Sequence, residues 1–198
     1  MQLTLASTSV YRKEILSKLH IPFATVKPDV DETPLPDEGA ADLVERLAIA
    51  KARAVAEQVK QGWVIGSDQV ATFDGHILGK PHSEENAVKQ LTACSGKTVT
   101  FLTGLCLYNA DTHHYMSLVE PFQVNFRALT PSQIRRYVQI EQPLNCAGSF
   151  KSEGLGIALF RSLNGRDPNS LIGLPTIALI ELFTQAGIDV FDYMQVNS

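Results

Sequence analysis

The chain has 198 residues, of which 44% are hydrophobic and 19% charged, and this suits one domain or two tightly joined lobes around a substantial core. Its formal net charge of −4 argues against broad electrostatic binding to a nucleic-acid backbone. No apolar run approaches the ~20 residues of a membrane helix, and no charged segment precedes a secretory apolar core. We therefore expect a single domain over residues 1–198 that works in the cytoplasm, with neither nucleic acid nor membrane as a partner.

The first third of the chain alternates strand and helix patterns. A short apolar strand begins at Leu3, and an amphipathic helix is predicted over Arg12–Leu19. A second strand follows at Phe23–Val26. Residues 27–39 contain three prolines and five acidic residues, which predicts an irregular surface loop. Residues 40–59 give the clearest helix pattern, with apolar side chains on one side.

The middle of the chain predicts a strand, a hairpin and a helix. Trp63–Ser67 has the apolar character of a buried strand. The turn signal Asp74-Gly75 lies between Val70–Phe73 and His76–Leu78, which indicates a short hairpin. Ser83 is expected to cap a helix that runs to about Cys94.

The last part predicts a long antiparallel ribbon and two helices. Strand patterns at Thr98–Tyr108 and Tyr115–Phe126 flank a polar turn. The stretch Thr130-Pro131-Ser132-Gln133 combines an N-cap, a first-turn proline and a capping-box glutamine, and so begins a helix that reaches about Ile140. A final helix is predicted over Pro175–Ala186. The predicted strands are joined both by hairpins and by the helical connections typical of parallel strands. This combination predicts an α/β fold on a mixed sheet.

The three cysteines, Cys94, Cys106 and Cys146, form neither a C-x-x-C pair nor a cluster with histidine at metal-ligand spacing. They are interpreted as reduced and mostly buried thiols. Cys146 could be a nucleophile in principle, but no partnering base is evident, so packing is the favoured interpretation.

The junction between the first strand and the first helix has the chemistry of a phosphate cradle. The free backbone N–H groups of a helix's first turn, together with the helix dipole, favour an anion. Ser7, Ser9 and Arg12 add donors aimed at phosphate oxygens. An ordinary capped helix explains the same hydroxyl residues, because Ser and Thr are good N-caps. Taken alone, the stretch favours the ordinary cap.

Five further short motifs follow in a fixed order. They are Val30-Asp31-Glu32-Thr33, Ile65-Gly66-Ser67-Asp68-Gln69-Val70, Gly79-Lys80-Pro81, Cys146-Ala147-Gly148-Ser149-Phe150-Lys151-Ser152-Glu153-Gly154 and Gly173-Leu174-Pro175. In this order the set resembles the Maf family of nucleoside triphosphate pyrophosphatases, and most of all its branch that acts on 7-methyl-GTP. The resemblance extends from Leu3 to about Gly187. Each motif is weak, but the ordered combination is specific.

The resemblance implies a Maf/ITPase-like fold, with an elongated, twisted mixed sheet flanked by helices and two lobes around a nucleotide cleft. It also implies a divalent metal cofactor, Mg²⁺ or Mn²⁺, a small nucleotide substrate and, often, a homodimer. In the family, the aspartate that matches Asp68 is treated as the proton acceptor for the attacking water.

Cleavage between the α- and β-phosphates requires charge neutralisation on the polyphosphate, a divalent cation and an activated water. Arg12, Lys51 and Lys80 are the candidate phosphate contacts. Lys80 is the most persuasive locally, because Gly79 and Pro81 fix a tight backbone around it. Each lysine could instead be a solvated surface charge, and for Lys51, midway along a predicted helix, the two interpretations are evenly balanced.

Glu32 and Asp68 are the candidate metal ligands, because Mg²⁺ and Mn²⁺ prefer oxygen and usually join one or two carboxylates to substrate phosphates. Asp68 closes an apolar strand in this interpretation, where a carboxylate is well placed to face a cleft. It could act as base, as metal ligand or as both. Without the resemblance, Glu32 would be interpreted as part of a solvated acidic loop.

Three positions separate the branches of the family. The branch acting on dTTP and UTP usually has arginine, threonine and glutamine where this chain has Tyr11, Gln69 and Glu153. Methylation at N7 makes guanine a flat cation, which favours an aromatic face and a nearby carboxylate. Glu153 can accept from guanine N1–H and N2–H, and Gln69 offers both donors and an acceptor. Alternatively, Tyr11 is a core aromatic and Glu153 a surface charge.

The leading hypothesis is a metal-dependent enzyme that hydrolyses 7-methyl-GTP to 7-methyl-GMP and diphosphate by attack of water at the α-phosphate. A related pyrophosphatase acting on dTTP, UTP or another modified nucleotide is the enzymatic alternative. From a different class, the family's link to septum formation suggests a regulator of cell division that binds a nucleotide without turnover.

Overall fold

The computed structural model describes residues 1–195, so the last three residues of the predicted domain lie outside the described part. The strands are β1 (Leu3–Ala6), β2 (Ala24–Val26), β3 (Trp63–Phe73), β4 (His76–Leu78), β5 (Thr98–Asn109), β6 (Tyr115–Phe126) and β7 (Phe160–Asn164). The helices are α1 (Val10–Ser17), α2 (Ala40–Val59), α3 (Glu84–Cys94), α4 (Pro131–Glu141), α5 (Asn169–Ile172) and α6 (Thr176–Gln185). Short 3₁₀ turns cover Ala147–Ser149, Leu155–Leu159 and Val190–Tyr193.

The strands form a seven-stranded mixed sheet with the order β2-β1-β3-β5-β6-β7, and β4 pairs with β3. Strand β1 is parallel to both β2 and β3, whereas the β3–β4 and β6–β7 pairs are antiparallel. The predicted α/β fold on a mixed sheet is therefore confirmed. No helix within residues 1–195 has the length and apolar character needed to cross a bilayer.

The chain divides into two compact units. The first contains Met1–Gln69, Thr103–Glu120 and the segment from Asp167 onward, and the second contains Val70–Leu102 and Pro121–Arg166. Strands β3, β5 and β6 each contribute residues to both units.

The first unit buries both faces of its part of the sheet. Along β5, Leu105 and Leu107 pack in a core cluster with residues of α1 and α6, and Cys106 and Tyr108 pack in a second cluster with residues of α2. This alternation is what the two-residue period of a strand requires. Because both faces are covered, the strands of this unit read as nearly continuous apolar runs.

Helix α2 packs backbone against backbone on its sheet face. A Cβ atom at Gly66 of β3 would lie 2.1 Å from the carbonyl oxygen of Ala48, and one at Gly104 of β5 would lie 2.0 Å from that of Val44. Both strand positions therefore require glycine for this approach. The close contact is what allows a side chain of α2 to reach polar groups of β3.

The second unit has an aromatic core. Phe150 meets Phe101, Phe126 and Phe160 edge to face, with ring centroids 5.4, 5.6 and 4.9 Å apart, the geometry that aromatic pairs prefer. Helices α3 and α4 pack against each other in this unit.

Several predicted elements are confirmed and one is wrong. Helix α2 and strand β6 have the predicted bounds, and Thr130 and Gln133 form the predicted capping box of α4. The prediction that a buried strand ends at Ser67 is wrong, because β3 continues without a break to Phe73. Polar side chains interrupt the apolar pattern at this point, but the backbone remains extended because those side chains find polar partners, which are described below. Strand β7 and helix α5 were not predicted.

Candidate active site

Serine hydroxyls build the turn between β1 and α1. The Ser7 hydroxyl accepts a hydrogen bond from the Ser9 backbone N–H at 3.1 Å, and the Ser9 hydroxyl caps α1 by accepting from the Arg12 backbone N–H at 3.3 Å. This capping starts α1 at Val10, two residues before the predicted start. Within residues 1–195 neither hydroxyl donates a hydrogen bond. The turn is thus a capped helix start whose hydroxyl hydrogens are still available to a ligand.

The Arg12 side chain is held by its inner nitrogen. Its Nε donates to the Gly173 carbonyl oxygen at 2.8 Å, and no residue in the described part of the chain hydrogen-bonds its terminal nitrogens. Burial lowers the pKa of the guanidinium, and the charges of Asp68 and Glu32 act in the opposite direction. Arg12 therefore lies within electrostatic reach of both candidate metal ligands and keeps its outer donors for an anion.

Lys51 of α2 joins the two carboxylates. Its Nζ lies 2.6 Å from Asp68 Oδ1 and 2.7 Å from Glu32 Oε1. The Lys51 side chain is only 8% exposed and that of Asp68 12%, whereas that of Glu32 is 59% exposed. The alternative of a solvated surface lysine is therefore wrong at this position. One buried ammonium holds a carboxylate of the sheet and a carboxylate of the loop together.

Asp68 lies inside β3 rather than at its end, which corrects the sequence-based placement. The strand continues because Lys51 compensates the buried carboxylate. Asp68 and Glu32 each use one oxygen for Lys51, and within residues 1–195 their second oxygens have no hydrogen-bond partner. The pair thus presents two carboxylate oxygens that a ligand can take.

The loop that carries Glu32 is fixed by Arg46 of α2. Arg46 Nε and Nη2 donate to both carboxylate oxygens of Glu38, at 2.5 and 2.8 Å, and Nη2 also donates to the Thr33 carbonyl oxygen at 3.2 Å. The Glu38 carboxylate also accepts from the Leu35 backbone N–H at 3.0 Å. The Arg46 hydrogen bonds lower the pKa of Glu38 to about 2. Residues 27–39 are therefore irregular, as predicted, but anchored next to the Glu32 position.

Gln69 is bound through its amide nitrogen. Its Nε2 donates to Thr103 Oγ1 at 2.8 Å and to the Ser170 carbonyl oxygen at 2.6 Å. A backbone carbonyl only accepts, so the nitrogen must face it and the amide orientation is settled. The expectation that Gln69 offers both donors and an acceptor to a base is thus wrong, because the donors are used internally. Its Oε1 acceptor is what it can present.

The other predicted site residues are exposed. Tyr11 on α1 is 44% exposed, so it is not a core aromatic. Lys80 and Glu153 belong to the second unit, and both are exposed. Glu153 Oε2 accepts from the Ser152 hydroxyl at 3.1 Å. Glu141 of α4 anchors the same loop by accepting from the Leu155 backbone N–H at 2.9 Å.

Sequence reasoning missed two groups that hold the first unit's site together. The Ser67 hydroxyl, fully buried, donates to the Gly173 carbonyl oxygen at 2.8 Å. The same carbonyl receives Arg12, so Gly173 is a shared acceptor. The Gly173-Leu174-Pro175 motif was the available signal, but a motif does not show which carbonyl accepts from which side chain.

Comparison with known proteins agrees with this chemistry. A family model described as Maf-like protein matches residues 2–186. A relative named 7-methyl-GTP pyrophosphatase from Pseudoalteromonas atlantica is 57% identical over 195 residues, which cover 98% of this chain and 100% of the relative. Relatives of the same name from Vibrio vulnificus and Pseudomonas aeruginosa are 55% identical (96% of this chain, 97% of the relative) and 52% identical (95% and 98%).

Among solved structures, the Staphylococcus aureus Ham1 protein is similar, with a TM-score of 0.53 and 13% sequence identity over 94% of this chain and 100% of that one. At this identity the likeness shows the fold alone.

Glu38→Gln tests the anchoring of the loop. Because the pKa of Glu38 is about 2 in the folded protein and its ordinary value is 4.5, its interaction with Arg46 stabilises the fold fully above about pH 4.5 and is lost as the pH falls toward 2. The variant should unfold at lower urea than the parent near neutral pH, and the difference should shrink below about pH 4.5 and be largely lost at about pH 2.

The matched control is Glu57→Gln, which removes the exposed ion pair between Glu57 and Arg53, whose atoms are 3.7 Å apart. Its stability should differ little from that of the parent at any pH. A gap between parent and Glu38→Gln that stays constant down to about pH 2.5 would contradict the anchoring role.

Proposed function

This chain belongs to the Maf family, and on that premise we propose that it hydrolyses 7-methyl-GTP to 7-methyl-GMP and diphosphate. The single observation that carries the proposal is the Lys51 ammonium between Asp68 and Glu32, with the Arg12 guanidinium in electrostatic reach of both. Two carboxylates and two cations in one place suit a polyphosphate with a bound cation better than they suit an uncharged ligand. The relatives' name supplies the substrate.

The residues present fit a divalent cation. Glu32 and Asp68 each keep one carboxylate oxygen that Lys51 does not bind, and oxygen is the ligand that Mg²⁺ and Mn²⁺ prefer. No group of three or more His, Cys, Asp or Glu residues in the described chain could hold a metal by itself. This agrees with a cation that one or two carboxylates share with substrate phosphates. When bound, the cation would neutralise charge on the polyphosphate.

The chain's own residues can perform the remaining tasks. The Arg12 terminal nitrogens bind phosphate oxygens, as the serine-capped turn beside it does through its hydroxyls and backbone N–H groups. The free oxygen of Asp68 accepts the proton of the attacking water, or holds the cation that activates it. Lys51 keeps Asp68 in one orientation and offsets the repulsion between the two carboxylates.

The attack is by water rather than by a protein thiol. Burial raises the pKa of Cys94 to about 11 and that of Cys106 to about 12, and burial also raises the pKa of Cys146. Cys94 and Cys106 are therefore protonated near neutral pH and are poor nucleophiles, and burial shifts Cys146 in the same direction. This agrees with the packing role expected for the cysteines.

Three residues are proposed to read the base. Tyr11 is exposed and offers an aromatic face to a flat cationic ring. The free Oε1 of Gln69 matches the N–H groups of guanine, since its own donors are already used. Glu153 and Lys80 keep the roles in base and phosphate binding that the family resemblance implies. The cytoplasmic location and the homodimer also remain predictions.

Turnover of 7-methyl-GTP, GTP, dTTP and UTP, measured side by side with Mg²⁺ or Mn²⁺, tests the proposal. The parent should release pyrophosphate and should prefer 7-methyl-GTP. Asp68→Asn should lose about 10²–10⁴-fold in rate, the usual contribution of a general base. Asp192→Asn, an exposed aspartate of the same unit, is the matched control and should retain full activity.

Release of single phosphate would show that the wrong bond was assigned, and preference for dTTP or UTP would favour the related pyrophosphatase. Nucleotide binding without turnover under either metal would favour the non-catalytic regulator.

Glu153→Gln tests the reading of the base. Loss of a hydrogen bond that involves a charged group costs about 1.5–3 kcal/mol, so the preference for 7-methyl-GTP over the other nucleotides should fall about ten- to a hundredfold. Glu85→Gln, an exposed glutamate of the same unit paired with Lys89, is the control. Unchanged selectivity of Glu153→Gln across the nucleotide panel would refute the assignment.

A further inference from the structure

The segment Asp167–Pro175 contains buried polar residues. It connects β7 to α6 and contains the single helical turn α5. Asp167 is 1% exposed and Ser170 is fully buried. Buried polar groups are costly unless they form hydrogen bonds. The Ser170 hydroxyl has no hydrogen-bond partner in the described part of the chain, so the segment contacts Arg12 and Gln69 through backbone carbonyls and the start of α6 through the Asp167 carboxylate.

The Gly173 carbonyl oxygen is a shared acceptor for two side chains of the site. Arg12 Nε and Ser67 Oγ both donate to it, each at 2.8 Å. Gly173 has a φ of +107°, which a residue with a side chain adopts only with strain. A Cβ atom there would also lie 3.1 Å from Arg12 Nε. The backbone conformation therefore favours glycine, and a Cβ atom at this position would fit only if Arg12 moved by a few tenths of an ångström.

A second backbone carbonyl of the segment, that of Ser170, also accepts hydrogen bonds from two side chains, one of which is the proposed base-binding residue Gln69. The Ser170 carbonyl oxygen accepts from Gln69 Nε2 at 2.6 Å and from Thr103 Oγ1 at 3.0 Å. Gln69 thus gives its amide nitrogen to the segment, and the oxygen of the same amide, Oε1, has no hydrogen-bond partner within residues 1–195.

The segment itself is held by Asp167. One carboxylate oxygen accepts from the backbone and side-chain nitrogens of Asn169, at 2.8 and 2.9 Å. The other accepts from the Thr176 hydroxyl at 2.9 Å and the Ile177 backbone N–H at 2.8 Å. The carboxylate thus ties the start of the segment to the first turn of α6.

We propose that Asp167–Pro175 is a positioning element that orients Arg12 for the phosphates and Gln69 for the base, with Asp167 as the residue that fixes it. The inference rests on the proposed function, which it deepens. Its physical basis is preorganisation, because a side chain with one donor bound to a fixed carbonyl presents its remaining polar atoms in one direction. Asp167, Ser170 and Gly173 are positioning residues in this account and contact no reacting atom.

The first test compares Gly173→Ala with Gly187→Ala. Gly187 also has a positive φ, +75°, but a Cβ atom there would meet nothing within 4 Å, so this control introduces a side chain at a left-handed position without the contact to Arg12. The readouts are kcat and KM for 7-methyl-GTP and the affinity for inorganic pyrophosphate with Mg²⁺, measured by calorimetry. Gly173→Ala should weaken pyrophosphate binding about tenfold, the value of a misdirected charged hydrogen bond. Gly187→Ala should leave binding at the parent value.

Arg12→Lys separates positioning from general destabilisation. Lysine keeps the positive charge but has no Nε donor for Gly173. In the Arg12→Lys background, Gly173→Ala should therefore cost less than about threefold in pyrophosphate affinity, because contacting residues are not additive. The same loss in both backgrounds would overturn the inference, as would unchanged binding by Gly173→Ala.

Asp167→Asn tests the fixing residue against Asp189→Asn, since Asp189 also caps a turn, by accepting from the Phe191 backbone N–H at 3.0 Å. Asp167→Asn should reduce both pyrophosphate affinity and the preference for 7-methyl-GTP, whereas Gly173→Ala should reduce mainly the affinity. If Asp167→Asn does not fold, the pyrophosphate affinities of the Gly173→Ala and Arg12→Lys variants test the proposal.

Failure of the proposed function gives a different result. A parent that binds pyrophosphate but hydrolyses no nucleotide refutes the proposed function. The pyrophosphate affinities of the variants still test the positioning element in that case. A parent that does not bind Mg²⁺-pyrophosphate overturns the positioning element itself.

Discussion

The ion pairs of the buried Lys51 ammonium with Asp68 and Glu32 are the interaction on which the first unit's candidate site depends. Without it, the Asp68 carboxylate would be an uncompensated charge in the sheet, and Glu32 would be one more acidic side chain on an exposed loop. Lys51 can reach both only because α2 packs directly on β3, where Gly66 leaves room for the helix backbone. Helix α2 therefore both packs closely on the sheet and supplies the positive charge that the two carboxylates require.

The other site residues follow a common pattern. Arg12 and Gln69 each bind a fixed backbone carbonyl through one side-chain nitrogen. The Arg12 terminal nitrogens and Gln69 Oε1 have no protein partner within residues 1–195. The two carboxylates each give one oxygen to Lys51 and keep the other. Arg46 anchors the loop next to Glu32 through Glu38. Such half-bound groups are oriented before a ligand arrives, which is the condition for effective electrostatic stabilisation of a transition state.

Much of this could be predicted from the sequence, and the failures have physical causes. Apolar periodicity located α2, and local capping chemistry located α4, because both signals lie within a few residues. The end of β3 was misplaced because the partners that make polar residues acceptable inside a strand, Lys51 and the Ser170 carbonyl, are distant in sequence. For the same reason, side-chain chemistry alone could not show that the Gln69 donors are already used.

A crystal structure with Mg²⁺ and a non-hydrolysable analogue of 7-methyl-GTP would test whether Lys51, Asp68, Glu32 and Arg12 form one polyphosphate site. We expect phosphate oxygens to bind the terminal nitrogens of Arg12. We also expect one cation to bind the carboxylate oxygens of Asp68 and Glu32 that Lys51 does not contact. A cation bound away from both carboxylates, or a polyphosphate that does not contact Arg12, would contradict this expectation.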